Sequence, residues 1–101
     1  MNNADYYISK ISLNDFTGNI ERVALHENNG SRNPGPETIR AREFIVDLIK
    51  RGNEVWTILK DNSGFWVLGE KVIIIKVNHI DYIKTEPNET EGDNLENLPE
   101  F

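Results

Sequence analysis

Two histidines, His26 and His79, are the side chains best placed to move protons or hold a metal near neutral pH. A metal centre would need them to converge with Asp or Glu at ligand spacing. They fall instead in separate expected hairpins with no such pattern around either, so both read as ordinary surface residues. No Ser stands in a nucleophile elbow. The glycines of Gly30-Ser31-Arg32-Asn33-Pro34-Gly35 do not form a phosphate loop, because no strand-to-helix passage with a Lys follows them. Asp61, Glu70 and Asp81 could pair for acid–base work if buried together, but each lies near an expected turn, where carboxylates serve the backbone or solvent. These patterns point to no catalytic residue, no cofactor and no metal ligand.

Binding is better represented than catalysis. Arg40, Arg42, Lys50 and Arg51 gather around the one expected helix, as an anion site or as a docking surface for the chain's own acidic end. Trp56, Trp66 and Tyr82, with Tyr6 and Tyr7, supply either an aromatic platform for a small ligand or a core. Leu95, Leu98 and Phe101 are spaced large apolar groups in a polar terminus, and such groups need a burial site on the body or on a partner.

The elements that must position these residues follow from periodicity. Residues 5–13 are rich in aromatic and β-branched types, and Ile20 to Glu27 alternates Val23 and Leu25 against Arg22 and His26. Joined by Asn14–Asn19, these segments predict an antiparallel hairpin. Asn28 to Pro36 is a Gly- and Pro-rich surface loop, the best internal candidate for an interaction surface. Arg42 to Arg51 predicts the helix, with Phe44, Ile45, Leu48 and Ile49 as its buried stripe and Gly52 as its stop. Ala41 caps poorly, which allows a start at Thr38. Strands are expected at 54–60, 65–76 and 82–85, with a turn at Asp61–Gly64 and a bulge or bend at Gly69. The run Val72–Ile75, apolar on both faces, predicts the central strand under the helix.

Charge divides the chain. The 101 residues carry 17 acids and 11 bases, and six of the acids lie beyond Thr85 with no Lys or Arg among them. Residues 1–85 are therefore neutral, and the formal charge of −6 belongs to the end of the chain. A neutral body argues against a general nucleic-acid surface, which needs clustered cations. No cysteine is present, which suits a reducing compartment. No apolar run approaches the roughly 20 residues of a membrane helix, and the first residues lack a secretory pattern, so a cytoplasmic protein is expected.

Tyr82-Ile83-Lys84-Thr85-Glu86-Pro87-Asn88-Glu89-Thr90, followed by Asp93-Asn94-Leu95-Glu96-Asn97-Leu98-Pro99, resembles the C-terminal signature of a small bacterial family described only as a domain of unknown function. Arg42-Glu43, Leu48-Ile49, Gly52, Trp66 and Gly69 extend the resemblance over residues 6–101. Ala41 departs from it where a capping Ser is usual, and Asn78-His79-Ile80 departs where an Asn-Gly turn is usual. The resemblance implies no catalytic or binding assignment.

Together these observations predict an α+β domain over residues 1–87. It is a mainly antiparallel sheet of five to six strands, open or partly closed into a barrel, with one helix and the order β-β-α-β-β-β. Residues 88–101 form an acidic tail expected to dock on that domain. The first functional expectation is a non-enzymatic binding or regulatory module with a protein partner. The second is a small-molecule or nucleotide binder, or a minor enzyme, working through the aromatics and the basic helix rim. The third is an acidic nucleic-acid mimic of the phage-inhibitor type. Edge strands leave room for a homodimer.

Overall fold

The computed structural model describes residues 4–30, 33–85 and 98–101. Among the described residues seven elements follow one another: β1 (Tyr6–Leu13), β2 (Ile20–Glu27), β3 (Thr38–Ala41), α1 (Arg42–Lys50), β4 (Val55–Lys60), β5 (Trp66–Val77) and β6 (Ile80–Thr85). The strands make one sheet in the order β3-β2-β1-β4-β5-β6, which does not close into a barrel. All neighbours pair antiparallel except β1 and β4, which run parallel. The fold is α+β, with the order β-β-β-α-β-β-β.

Three expectations change. An extra strand, β3, precedes the helix, because Thr38–Ala41 pair with Arg22–Leu25 of β2. This pairing also fixes the helix start at Arg42 and removes the alternative start at Thr38. Ala41 stands at the N-cap in extended conformation with no capping side chain, so the strand delivers the chain to the helix. The central position belongs to β1 and β4, not to Val72–Ile75. Strand β5 is long enough to pair with β4 through its first half and β6 through its second, and only Val72 of the apolar run is buried.

The helix ends as its sequence requires. Gly52, at φ +96°, donates its N–H to the Ile49 carbonyl, and Asn53 donates to the Leu48 carbonyl. These two bonds close a Schellman motif, which satisfies carbonyls that the last turn leaves open. Ile45, Val46 and Leu48 are the buried helix residues. Phe44, expected in the stripe, is partly exposed and lies under the Arg40 guanidinium, 4.8 Å from ring centroid to Cζ.

Apolar residues cluster on both sides of the sheet. On one, the helix residues pack with Ile8, Ile11, Val23, Leu25, Val55, Val72 and Ile83. On the other, Ala4, Tyr7 and Ile58 gather Trp56, Trp66 and Leu68. Gly69 makes the expected bulge: Trp56 faces Lys71 while Ile58 faces Leu68, so β5 carries one residue more than β4 across that interval.

Candidate functional site

The chemistry of this molecule concentrates where β1 and β4 part. These strands pair only through Tyr6–Ile8 and Val55–Thr57. Immediately beyond, Ser9 is the extra residue of a bulge, since Ile8 faces Leu25 of β2 and Lys10 faces Ala24. Ile11 pairs with Val23 on the β2 side, so its opposite edge is left open by the departure of β4. The last residues of the chain stand on that edge. Ile11 N donates to the Pro99 carbonyl at 2.9 Å, and Phe101 N donates to the Ile11 carbonyl at 3.1 Å. Glu100 bridges Ile11 in the parallel sense. Leu98, 4% exposed, joins the helix-side core, whereas Phe101 is 49% exposed. Leu95 and the acidic residues 88–97 lie outside the described residues.

A cavity of about 320 Å³ opens in the fork between β4 and this terminal segment. Ile58, Leu59, Trp66 and Pro99 give it apolar walls, and Ser9 and His26 line it too. Ser9 Oγ and His26 Nε2 are 2.7 Å apart, and His26 Nδ1 lies 2.8 Å from the Gly35 carbonyl. A carbonyl only accepts, so Nδ1 carries the proton; in the neutral ring Nε2 then accepts from the Ser9 hydroxyl. Both side chains are buried, Ser9 at 3% and His26 at 7% exposure. At the exposed end, Lys60 Nζ lies 5.0 Å from the Trp66 ring centroid. Lys10 and Glu37 also line the cavity and pair with each other at 3.5 Å, which leaves Lys60 as the unanswered charge on its wall among the described residues.

His26 therefore corrects the expectation of an ordinary surface histidine. Alternation places it opposite Val23 and Leu25, but that face is roofed by the segment around Gly35, which returns over Glu27 and hydrogen-bonds to it. His79 does lie at the surface, in the two-residue turn between β5 and β6.

The basic residues do not form one rim. Arg42 is at the start of the helix, while Lys50 and Arg51 are at its end, roughly 12 Å away at 1.5 Å per residue. Arg51 pairs with Asp47 at 2.9 Å, and Lys50 donates to Asp81 at 2.7 Å. That hydrogen bond, aided by the positive charges of Lys50 and Lys76 and opposed by partial burial, holds the Asp81 carboxyl below its ordinary value. Arg40 is occupied by Phe44.

Arg42 and Tyr82 are brought together, with the guanidinium 4.8 Å from the ring centroid. Arg42 also donates to the Ile20 carbonyl and to Glu43, and its buried Nε has no hydrogen-bond partner among the described residues. They line a second cavity of about 500 Å³, but its ionisable walls, Glu21, Arg22, Arg42 and Glu43, balance in charge. The smaller fork cavity better combines apolar walls with a few convergent polar groups.

Trp66 belongs to the fork, and Trp56 packs beside it in the same cluster, donating its indole N–H to Glu54 at 3.1 Å. Ser9, Lys60 and Pro99 are not marked as site residues in the sequence, and His26 reads there as an ordinary surface residue. The pairing of Ser9 with His26 depends on a bulge, and no residue pattern announces one. Among the described residues no three His, Asp or Glu side chains converge as metal ligands would, and no helix is long and apolar enough to cross a membrane.

The chain belongs to the family described as Protein of unknown function (DUF3892), whose model matches residues 7–99. No curated protein and no solved structure matches it.

Proposed function

We propose that this protein is a small, non-enzymatic binding module that receives an extended apolar peptide on the open edge of β1. Its own last residues are the resident occupant and thereby regulate access. The backbone pairing of Ile11 with Pro99 and Phe101 carries this reading, because it is the pattern by which a sheet edge accepts an added strand. Main-chain bonds supply affinity in that mode, and a buried side chain, here Leu98, supplies selectivity.

The energetics favour exchange. Burying Leu98 gains about 1.5–3 kcal/mol, and two backbone hydrogen bonds add about 0.5–1.5 kcal/mol each. Ordering four backbone residues opposes this by about 1–2 kcal/mol each. Gain and cost are of the same order, so a competing segment of matching chemistry can displace the resident one. The partner's segment carries a branched apolar residue, then a residue needing no N–H, then an exposed aromatic, as Leu98, Pro99 and Phe101 do. We place the module in the bacterial cytoplasm, in keeping with its cysteine-free sequence.

The test uses a fluorescent peptide with the sequence of residues 97–101 and two full-length chains, the wild type and Leu98→Asp. The variant weakens the resident segment, and circular dichroism establishes that it stays folded. Fluorescence anisotropy should show at least tenfold tighter binding to Leu98→Asp than to wild type. Equal affinity for the two chains, or none for either, would remove the proposal.

A further inference from the structure

We propose that the fork cavity is a binding site for a small aromatic carboxylate that carries an O–H or N–H donor at the end remote from its charge. The inference rests on the side chains of the cavity and holds whether or not peptides exchange at the β1 edge.

Each part of that ligand is dictated by a group on the wall. At about 30 Å³ for each water, a cavity of about 320 Å³ holds the equivalent of roughly ten waters, which suits a ligand of about that many heavy atoms. Ile58, Leu59 and Pro99 require an apolar body, and Trp66 on the wall favours an aromatic one.

The buried end requires a donor. Both His26 nitrogens are committed, one to the Gly35 carbonyl and one to Ser9. With its proton given to His26, Ser9 Oγ has only lone pairs left to offer, and it makes no other hydrogen bond among the described residues. An acceptor presented there would meet lone pairs on both sides. A hydroxyl or N–H would fill the one unmet capacity of the floor.

The outer end requires an anion. Lys60 is exposed and has no carboxylate within ion-pair distance among the described residues; its ammonium rests on Trp66. Lys10, by contrast, is answered by Glu37. A ligand carboxylate completes the Lys60 charge at the end of the cavity where Trp66 lines the wall.

Isothermal calorimetry on the full chain tests this with para-hydroxyphenylpropionate, its deoxy analogue phenylpropionate, and the uncharged alcohol hydroxyphenylpropanol. The hydroxy acid should bind, and each of the other two should bind at least fivefold more weakly. Lys60→Gln should erase the preference for the acid over the alcohol and leave the preference for the phenolic hydroxyl. Ser9→Ala should do the reverse. The comparison of ligands on the unaltered protein stands even if Ser9→Ala fails to fold. No binding of the hydroxy acid, or equal binding of all three compounds, would overturn the proposal. A hydroxyl preference that persists in folded Ser9→Ala would overturn the assignment of the floor. Because the peptide assay reads Leu98 and this one reads Lys60 and Ser9, failure of either leaves the other standing.

Discussion

Replacing Gly69 by Ala should be the most damaging single-methyl addition in the sheet. A Cβ at this position falls inside van der Waals contact with Thr57 Oγ1 and lies 3.1 Å from the Thr57 carbonyl. Thr57 is fully buried and its hydroxyl accepts the Glu70 N–H at 2.9 Å, so it has little room to turn aside. Overpacking of this kind costs about 1–3 kcal/mol. If Thr57 rotates away, the Glu70 N–H loses its partner, a further penalty of about 1–3 kcal/mol. The expected loss is therefore about 2–6 kcal/mol when both apply, measured as a fall in the urea midpoint with unchanged slope. The double variant Thr57→Ala/Gly69→Ala separates the causes. Removing the hydroxyl makes space for the new methyl, so the double variant should be more stable than the sum of the single losses by at least about 1 kcal/mol. A Gly69→Ala protein within about 0.5 kcal/mol of wild type, or strict additivity, would refute the bulge geometry.

Other outcomes follow from the same structure. Asn78 and His79 both have positive φ, +52° and +68°, in the β5–β6 turn, so His79→Gly should stabilise the protein by about 0.5–1 kcal/mol in thermal or urea unfolding. The Tyr7 hydroxyl is buried without a hydrogen-bond partner among the described residues, and burial pushes its pKa up. Tyr7→Phe should therefore be neutral or stabilising by up to about 1 kcal/mol, and a loss above 1 kcal/mol would show an undetected partner. Asp81 titrates below its ordinary value because Lys50 binds the carboxylate. Its stabilising effect should be full above about pH 4 and fade as acid protonates the folded form. The stability gap between wild type and Asp81→Asn should shrink on acidification and be constant near neutrality.

Much of the fold was legible because it is written in local chemistry. The 20–27 alternation, the Asp61–Gly64 turn, Gly52 at the helix end and the Gly69 bulge each express a backbone requirement that only certain residues meet. Strand β3 was not legible: Thr38-Ile39-Arg40-Ala41 is short and exposed, and its state is decided by the β2 edge beside it. Val72–Ile75 misled because an apolar run reports neighbours on both faces without saying which strands flank it. The parallel contact of β1 with β4 is non-local, so the fork it creates could not be read from either strand. Of the candidate site, Trp66 and the terminal Leu98 were marked by their size in polar surroundings. Ser9 and His26 were hidden, since their meaning comes from a bulge and a roofing loop that place 17 positions of chain within one hydrogen bond.

Residues 99–101 occupy the β1 edge, with Leu98 buried behind them. The Ile11 amide reports on it directly, because its proton points to the Pro99 carbonyl. Amide exchange followed by NMR should show this proton protected at least tenfold in the full chain, with protection lost in Leu98→Asp while the amides of the β1–β2 ladder keep theirs. An Ile11 amide that exchanges at the free-chain rate in the wild type, or equally in both proteins, would mean that the edge is unoccupied in solution.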